Sequence, residues 1–440
     1  MIRKRNRIGL LLVVAMLLSG CAMRTVDEMY APPRRSAEHM DLQRAIDSAM
    51  TDLEYCAPLT GENQQTVQMA DLNGDGNEEY LLFAKGNSDN PMKILIFTRQ
   101  DGSCQLTESI ESRGSSFEFV EYADIDEADG KELVVGLGIS DQVDRHMAVY
   151  SFADGDVRQL MAVNYNKVVT ADLDVDGCME LLAISAGESD EENAAAVVYS
   201  YSDGAMVRSE QSSLSAGCDQ IKRIMVSSLH GGTPAVYVAS AVDESAIITD
   251  VFALRNGQFT NISLSNESGT SVKTLRNYYV YADDIDEDGV LELPSLIYME
   301  PVQNTGQSAA QQLIRWYAMK DNGEEVDKLY TFHNFNGGWY LKLDSAWAQR
   351  VSVTQDGAVF TFFLWDADFT RAEKLFSIYA LSGSNREQQA TQDDRFPLLR
   401  TESVVYAAKL EVASLAYGID QQTLTEGFHL IHMDWKNGEM

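Results

Sequence analysis

Four short acidic loops, each running directly into an apolar stretch, recur along the chain. The best-preserved copy reads DLNGDGNEEYLLF at residues 71–83, and the others begin at Asp124, Asp172 and Asp284. The starting aspartates are 53, 48 and 112 residues apart, and the last interval is twice 56. Midway through it, near residue 228, the segment VSSLHGGTPAVYVAS keeps the turn and the apolar stretch but has no carboxylates. A period of about fifty residues predicts a repeated structural unit.

Tight-turn signals recur in phase with the acidic loops. Each is an Asp-Gly or Asn-Gly pair between apolar or aromatic runs, in the segments IFTRQDGSCQL, YSFADGDVRQL, YSYSDGAMVRS, FALRNGQFTNI and WYAMKDNGEEVDKL. Such pairs favour hairpins, because the turn requires positive φ. Each unit therefore holds about four short strands, the content of one propeller blade. We predict an all-β chain: a β-propeller of six or seven four-stranded blades with a short N-terminal helix.

The first twenty residues have the layout of a secretory signal peptide. A basic segment at residues 3–7 is followed by an apolar run from Ile8 to Leu18 and by the tetrapeptide Leu-Ser-Gly-Cys, which ends at Cys21. The run is much shorter than the ~20 residues of a membrane-spanning helix. The tetrapeptide resembles the bacterial lipobox, in which the cysteine becomes the lipidated first residue after cleavage. The resemblance implies a diacylglycerol on Cys21 and anchoring to the outer face of the bacterial cell membrane. An ordinary signal peptide is the alternative.

The remaining chain divides into three predicted segments. Residues 21–40 form a flexible tether with a Pro-Pro pair and mixed charge, which cannot bury much surface. Residues 41–56 place apolar side chains at helical spacing and predict an amphipathic helix. Residues 57–440 form the propeller, whose repeats are degenerate after about residue 335.

The charge of the chain restricts its partners. The formal charge is −33, and removing residues 1–20, which hold four basic and no acidic residues, leaves −37. A surface this acidic argues against nucleic acid or anionic lipid headgroups as ligands, since both need basic patches. Apolar residues make up 45% of the chain, enough for a large core. The acidity is therefore a property of a folded surface.

Four cysteines remain besides Cys21: Cys56, Cys104, Cys178 and Cys218. An even number in an exported chain permits two disulfides with three possible connectivities. Each could equally be a buried free thiol, so both alternatives stay open.

The acidic loops have the donor pattern of a calcium site. Calcium prefers six to eight oxygen ligands on a flexible loop. Positions 1, 3 and 5 supply side-chain oxygens, Gly at position 6 permits the turn, position 7 supplies a carbonyl, and Glu at position 9 lies on the following strand. The predicted calcium ligands are Asp71, Asn73, Asp75, Asn77, Glu79, Asp172, Asp174, Asp176, Cys178, Glu180, Asp284, Asp286, Asp288, Val290 and Glu292. We predict a structural ion that stiffens the loop.

The copy at 124–132 is a less complete site. It keeps Asp124, Asp126 and Glu132, but Ala128 takes the fifth position and the Asp-Gly pair begins one residue later, at Asp129. An EF-hand would place its Glu at position 12 between helices, which none of these loops does. The alternative for all four loops is an acidic Asx turn that binds nothing.

The repeated Asp-x-Asp/Asn-x-Asp-Gly-x-x-Glu loop at the head of an apolar strand resembles the FG-GAP/VCBS repeat propellers, the fold of integrin α-subunit heads. The resemblance covers roughly residues 60–300. Together with the lipobox and the short helix, it is similar to the FG-GAP lipoproteins of Firmicutes. The resemblance implies a calcium-stabilised propeller on an exported, lipid-anchored protein.

The sequence is compatible with two functions. Gly-x-Ser-x-Gly, Walker, Rossmann and His-Glu-x-x-His motifs are absent from the sequence. Aromatic side chains at Phe335, Trp339, Tyr340 and Trp365 suit either a core or a sugar-stacking platform, and the core is favoured. The preferred hypothesis is a non-enzymatic module that binds a surface protein or a glycan. The alternative is an extracellular hydrolase or lyase that uses the central channel, since a propeller hosts many functions.

Overall fold

The computed structural model describes residues 37–435 apart from Asp101, 140–144, 153–154, 187–192, Glu210, Asn256, 303–311 and 433–434. The predicted signal peptide, Cys21 and most of the tether lie outside these residues. The described residues form two compact units. The first comprises 37–57, Gln65–Ala70 and Asn77–Arg113, and the second comprises Pro58–Gln64, Asp71–Gly76 and the chain from Gly114 onward.

The first unit consists of one helix and one sheet. Helix α1 spans Ala37–Ala49, so it begins and ends earlier than the predicted 41–56. It ends early because Glu54–Tyr55 form strand β1, which pairs with the strand Glu79–Lys85. Ile46 of α1 is 5% exposed and packs against Leu82 and Phe97. The amphipathic helix therefore covers one face of the sheet.

Sheet 1 is antiparallel throughout. Its strands are β1 (Glu54–Tyr55), β2 (Val67–Ala70), β3 (Glu79–Lys85), β4 (Met92–Gln100) and β5 (Ser103–Ser112). Both β1 and β2 pair with β3, and the order continues to β4 and β5. The central strand is buried on both faces, from Leu81 to Ala84, as expected for a strand packed between two layers.

The second unit contains five antiparallel sheets in chain order, and sheets 2 to 4 are simple meanders. Sheet 2 consists of β6 (Ser116–Ala123), β7 (Glu132–Gly138), β8 (Arg145–Ser151) and β9 (Arg158–Tyr165). Sheet 3 consists of β10 (Lys167–Ala171), β11 (Glu180–Ser185), β12 (Ala195–Ser202), β13 (Ala205–Arg208) and β14 (Ser212–Ser213), which also pairs with β12. Sheet 4 consists of β15 (Ile221–Ser228), β16 (Pro234–Ala241), β17 (Ile247–Arg255) and β18 (Gln258–Asn261).

Sheets 5 and 6 each have five strands. Sheet 5 consists of β19 (Leu293–Tyr298), β20 (Gln312–Met319), β21 (Glu325–Asn334), β22 (Trp339–Leu343) and the C-terminal strand β28 (Phe428–Leu430). Sheet 6 consists of β23 (Val351–Asp356), β24 (Val359–Trp365), β25 (Ala372–Ser382), β26 (Phe396–Arg400) and β27 (Val404–Leu410), with β27 between β25 and β26. Short helices follow the strands: α2 (Ser345–Ala348), α3 (Arg386–Gln389), α4 (Gln421–Gly427), and 3-10 helices at Cys218–Gln220, Val272–Thr274 and Val412–Tyr417.

The sheets of the second unit pack face to face in chain order. Val134 and Met147 of sheet 2 meet Leu181 of sheet 3 in one apolar cluster. Equivalent clusters join sheet 3 to sheet 4, sheet 4 to sheet 5 and sheet 5 to sheet 6. Successive four-stranded antiparallel sheets of this kind are the blades of a propeller-type chain. The prediction of an all-β chain with a short N-terminal helix is confirmed, and the described residues form six antiparallel sheets of four or five strands each.

Where the turn residues are described, the predicted hairpin turns lie where the sequence placed them. The Asp-Gly turn at 203–204 joins β12 to β13, and both residues have positive φ, 52° and 87°. Gly257, with φ 73°, lies in the turn between β17 and β18. A residue with a side chain is strained at such φ values, and Gly is not, which explains the recurrence of the pairs.

The aromatic side chains of sheets 5 and 6 form core. Trp339 is fully buried, Tyr340 is 4% exposed and Trp365 is 7% exposed, while Phe335 is partly exposed at 38%. Trp339 contacts Phe360 and Phe428, with ring centroids 5.1 and 5.2 Å apart. The core interpretation of the first three is therefore confirmed.

The four described cysteines are free thiols, so the structure contains none of the disulfides that the sequence permitted. Burial raises the pKa of the Cys104 and Cys218 thiols, the latter to about 11. Within the described residues, no helix is both long and apolar enough to cross a membrane.

A buried histidine in sheet 5 makes the stability of the chain sensitive to acid. The His333 ring stacks on Tyr340 and Trp435 at centroid distances of 5.0 and 5.5 Å. Burial lowers the pKa of His333 to about 3. The unfolded chain, with an ordinary histidine pKa, binds the proton first, so stability is lost as the pH falls below about 6.5.

Replacement of His333 by phenylalanine is expected to flatten this dependence, because phenylalanine keeps the stacking and cannot be protonated. Relative to His333→Phe, the wild-type chain should lose about 1.4 kcal/mol of unfolding free energy for each pH unit below the unfolded pKa. Urea unfolding at about pH 7 and about pH 5 measures the difference. An equal difference between the two proteins at both pH values would contradict the assignment.

Candidate functional site

Each acidic loop delivers one buried glutamate to the start of a strand. Glu79, Glu132 and Glu180 are the first residues of β3, β7 and β11, and Glu292 directly precedes β19. Their exposed fractions are 3%, 1%, 2% and 0%. In sheet 5 a single bridge between Asp283 and Glu292 stands in place of a first strand. Burying a carboxylate raises the free energy of the folded state unless the group has partners, so these four positions mark candidate functional sites.

The loop backbone is held by the aspartate at position 1. In the 172–180 loop, Asp172 Oδ1 accepts a hydrogen bond from Val175 N at 2.7 Å, and Oδ2 accepts one from Gly177 N at 3.2 Å. Asp284 accepts from Asp288 N and Gly289 N, both at 2.9 Å. These Asx-type bonds wrap the loop around the carboxylate.

Two positions of the loop adopt left-handed backbone. The glycine at position 6 does so as predicted, with φ 96° at Gly177 and 87° at Gly289. Position 4 does so as well, although it is occupied by Val175 (φ 66°) and Glu287 (φ 64°). A β-branched residue such as Val175 is strained in this region, and the sequence signal for the conformation is Gly74 (φ 73°) at the same position of the 71–79 loop.

The 172–180 loop brings three carboxylates together. Asp172, Asp174 and Glu180 each offer an oxygen within 4.8 Å of the other two. Asp176 instead caps the backbone N–H of Cys178 at 2.8 Å, and Cys178 directs its thiol to the carbonyl of Asp126 at 3.5 Å. The structure therefore converges three of the five predicted ligands of this loop.

No basic side chain neutralises this cluster among the residues that the structure describes. Burial, followed by the neighbouring Asp174, Asp176 and Asp172, raises the pKa of Glu180 to about 7, against the hydrogen bond from Leu173 N at 2.8 Å. Burial and the neighbouring Asp176 also raise the pKa of Asp174. Clustered carboxylates without a cation repel one another and favour protonation, a repulsion that a bound divalent ion would remove.

The 284–292 loop converges the same three positions and adds an internal cation. Asp286 and Glu292 join Asp284 within 4.8 Å. The ammonium of Lys328, from β21, lies 3.4 Å from Asp286 Oδ2 and 3.6 Å from Glu292 Oε1, and it donates a hydrogen bond to Asp288 Oδ2. Burial raises the pKa of Glu292 to about 7, with Lys328 acting in the opposite direction.

The 124–132 loop does not converge its carboxylates within the described part of the chain. Glu132 Oε2 accepts hydrogen bonds from the backbone N–H groups of Ile125 and Asp126, at 2.9 and 3.2 Å. Asp124 pairs with the ammonium of Lys131 at 3.8 Å, on the surface. Asp129 packs against Gly74 so closely that a side chain at position 74 would clash, since its Cβ would lie 2.6 Å from the Asp129 Cβ. The shifted Asp-Gly pair thus changes the loop, as the missing fifth ligand suggested.

In the 71–79 loop, the position 1 aspartate is used in the same way. Asp71 accepts from Gly74 N at 2.8 Å and Gly76 N at 2.9 Å, and Asn73 accepts from Asp75 N at 2.9 Å. Asn77 and Glu79 belong to the first unit. The calcium site at this loop stays a prediction.

Two open clefts flank the acidic loops of sheets 2 and 3. One, of about 500 Å³, is lined by Leu173, Asp174, Val175, Gly231, Gly232, Thr233, Pro234, Leu254 and Gly257. The other, of about 480 Å³, is lined by Asp126, Glu127, Ala128, Tyr201, Ser202, Asp203 and Gly204. Each lies between the acidic loop of one sheet and the outer hairpin of the next. We name them the 174 cleft and the 126 cleft.

The donor set of the 172–180 loop fits a hard cation. All three converging donors are carboxylate oxygens, and Glu180 contributes a side chain that is 2% exposed. Oxygen-only donor sets suit Ca²⁺ and Mg²⁺, and a flexible loop suits Ca²⁺. The residues present are therefore compatible with the predicted ion.

Comparison with known proteins identifies no family. Neither a protein-family model nor a curated protein sequence matches the chain. Among solved structures, rhamnogalacturonan lyase YesW aligns with 81% of this chain and 91% of its own at 12% identity, with a TM-score of 0.31. The exotype rhamnogalacturonan lyase YesX covers 80% and 87% at 11% identity, with a TM-score of 0.30. Saccharomyces cerevisiae Sqt1 covers 81% and 100% at 11% identity, with a TM-score of 0.30. Similarity at this level does not establish a shared activity.

Proposed function

We propose that this chain is an exported bacterial lipoprotein whose propeller, of the FG-GAP/VCBS type, is stabilised by calcium and binds a surface protein or glycan without turnover. The lipobox ending at Cys21 supports export and anchoring at the outer face of the cell membrane. The repeated loop supports the propeller type, and its carboxylates support the ion.

The observation that carries the calcium proposal is the convergence of Asp172, Asp174 and Glu180 without a basic partner in the described chain. When bound, calcium would neutralise these carboxylates and fix the turn that precedes β11. Glu180 would hold the ion from the strand, Asp172 would hold both the loop backbone and the ion, and Asp174 would face the neighbouring cleft. The role is structural, because the loop braces a strand of the core.

The 174 cleft supports a binding function. Asp174 is the one ionisable side chain among the described residues of its lining, which Gly231, Gly232 and Thr233 also form. Ligand sites are concave and carry a few polar groups that orient the ligand, which this cleft provides. Acid–base catalysis needs a second titratable group in reach of the first, and the groups within 4.8 Å of Asp174 are Asp172 and Glu180, which the proposed calcium ion would occupy. We therefore favour binding of an uncharged polar chain, such as a glycan, over its cleavage.

The test is a binding and turnover panel with the purified full chain in detergent. Cell-surface and plant polysaccharides are presented to labelled protein in calcium, and the same mixtures are assayed for new reducing ends and unsaturated sugars. We expect binding without product. Thr233→Phe, which fills the 174 cleft, should weaken binding at least tenfold, and Glu180→Gln should weaken it by loosening the loop.

Ser202→Phe is the matched control, since it places the same side chain in the 126 cleft and should leave binding within about twofold of wild type. Product release that disappears on substitution of an acidic residue would replace the proposal with the hydrolase or lyase alternative. Retention on protein-containing surfaces but on no polysaccharide would assign the cleft to a protein partner.

A further inference from the structure

Lys328 projects into the 284–292 loop from a β-bulge. In the pairing of β20 with β21, Trp316 faces Leu329 and Tyr317 faces Asp327, so Lys328 is the extra residue between them. A bulge redirects its side chain out of the regular alternation of the strand. The Lys328 side chain is 13% exposed although it is charged. Its position is therefore set by the local backbone and by its carboxylate partners.

The partners of Lys328 are the residues that would hold a metal ion. One ammonium reaches three carboxylates, with distances of 3.4 Å to Asp286 and 3.6 Å to Glu292 and a hydrogen bond to Asp288. That hydrogen bond lowers the pKa of Asp288. The same carboxylates, against the cost of burial, raise the pKa of Lys328.

Glu292 places in this loop a buried carboxylate oxygen that a cation would stabilise. Its Oε2 accepts from Ile285 N at 3.1 Å, but its Oε1 is buried and has no hydrogen-bond donor. The residue is 0% exposed, so water does not solvate it. A buried carboxylate oxygen without a donor is strongly unfavourable unless a positive charge lies close. Lys328, 3.6 Å away, is the charge that the described residues supply.

In other sheets, the position that corresponds to Lys328 is not occupied by a lysine. Sheets 1 and 2 have a bulge at the same point of the same strand pair, where the extra residues are Thr107 and Leu160. In sheet 3 the β12–β13 pairing is regular and places no lysine at the 172–180 loop. The lysine is therefore particular to sheet 5.

We propose that Lys328 is a built-in cation that occupies the 284–292 loop when calcium is absent and competes with calcium for the same carboxylates. The chain then has two unequal loops: one at 172–180 that depends on external calcium, and one at 284–292 that is charge-balanced from within. The inference rests on the proposed calcium role and concerns which loop binds the ion. Removing Lys328 should convert the second loop into a calcium-dependent one.

The experiment titrates calcium by calorimetry into the full chain in detergent, in an E180Q background that silences the 172–180 loop. E180Q/K328M is expected to bind calcium at least tenfold more tightly than E180Q. Adding E292Q should abolish the gain. In EGTA, E180Q/K328M should melt below E180Q because Glu292 loses its cation, and calcium should raise the E180Q/K328M midpoint far more than that of E180Q.

Two results would overturn the proposal. One is calcium binding at 284–292 in E180Q that E292Q removes and K328M leaves unchanged. The other is no gain in calcium binding by E180Q/K328M over E180Q when circular dichroism shows that E180Q/K328M is folded. K328Q, which keeps the length and polarity of the side chain, decides the question if K328M does not fold. If E180Q does not reduce wild-type binding, the calcium role of 172–180 fails, while the comparison within the E180Q background still decides the role of Lys328.

Discussion

Replacement of Asp250 by alanine is expected to lower the free energy of unfolding by about 3 kcal/mol or more, since it removes a buried, fully hydrogen-bonded charge. Asp250 lies on β17 and is 0% exposed. Its Oδ1 accepts from Ser215 Oγ, Asn261 Nδ2 and Ser271 Oγ at 2.6, 2.8 and 2.6 Å. Its Oδ2 accepts from Ser215 N at 2.8 Å.

These bonds connect one strand of sheet 4 to three separate segments of the chain. Alanine would leave the donors of Ser215, Asn261 and Ser271 without their common acceptor, and the segments before β15 and after β18 would lose their attachment. Asp250→Asn should lower the free energy of unfolding by less than Asp250→Ala. It should still be destabilising, because the amide NH₂ of Asn is a donor and would face other hydrogen-bond donors.

Urea unfolding followed by far-UV circular dichroism measures the loss. Glu244→Ala is the control: it removes the same charge from an exposed position close by and should change stability by less than about 0.5 kcal/mol. An Asp250→Ala midpoint equal to that of Glu244→Ala would contradict the role given to this network.

Replacement of Cys21 by serine is expected to release nearly all of the protein from the membrane. Serine cannot form the thioether that carries the diacylglycerol, and acyl chains contribute about 0.8 kcal/mol per buried CH₂. The mature chain, at a formal charge of −37, has no electrostatic attraction to anionic lipid that could replace them. Membrane association should therefore depend on the lipid alone.

The measurement is fractionation of a lipoprotein-processing bacterium that expresses the chain, together with metabolic labelling by an alkyne fatty acid. Wild type should carry label and sediment with membranes, and Cys21→Ser should carry none and remain soluble. Cys56→Ser, the same exchange at a free thiol of the first unit, should behave as wild type. A Cys21→Ser protein that stays with carbonate-washed membranes would refute the lipid anchor.

Much of the fold follows from local signals in the sequence. The acidic loops and the Asp-Gly turns each require special φ values, so they mark the strand ends wherever they occur. The sequence predicts that position 9 of each loop lies on the following strand; this is confirmed at Glu79, Glu132 and Glu180, whereas Glu292 directly precedes its strand. The loop near residue 228 keeps its place between β15 and β16 without carboxylates, which confirms that the repeat is a structural unit.

Features that depend on distant residues could not be predicted in the same way. Lys328 reaches a loop about forty residues earlier in the chain because of a bulge, and bulges have no clear sequence signature. Strand β28 joins sheet 5 beside β22, although the chain passes through all of sheet 6 in between. The acceptor role of Asp250 depends on side chains from three other segments.

The loops also show why a shared motif does not imply equal sites. The 172–180 and 284–292 loops have the same spacing and the same three converging positions. The charge of the second cluster is balanced by a basic residue, Lys328, that lies outside the motif. The 124–132 loop differs by one shifted Asp-Gly pair, and its carboxylates turn to backbone N–H groups and to Lys131. Ligand spacing alone therefore overstates the number of equivalent carboxylate clusters.

Thermal unfolding of the full chain in calcium and in EGTA, beside Glu180→Gln, tests the central claim most directly. Calcium at a hundredfold excess over its Kd stabilises the folded state by about 2.7 kcal/mol, which should raise the wild-type midpoint by several °C. Glu180→Gln, with one converging carboxylate neutralised, should lose most of this rise. A wild-type midpoint that is the same in calcium and in EGTA, or a full rise retained in Glu180→Gln, would contradict a calcium ion held by the 172–180 loop.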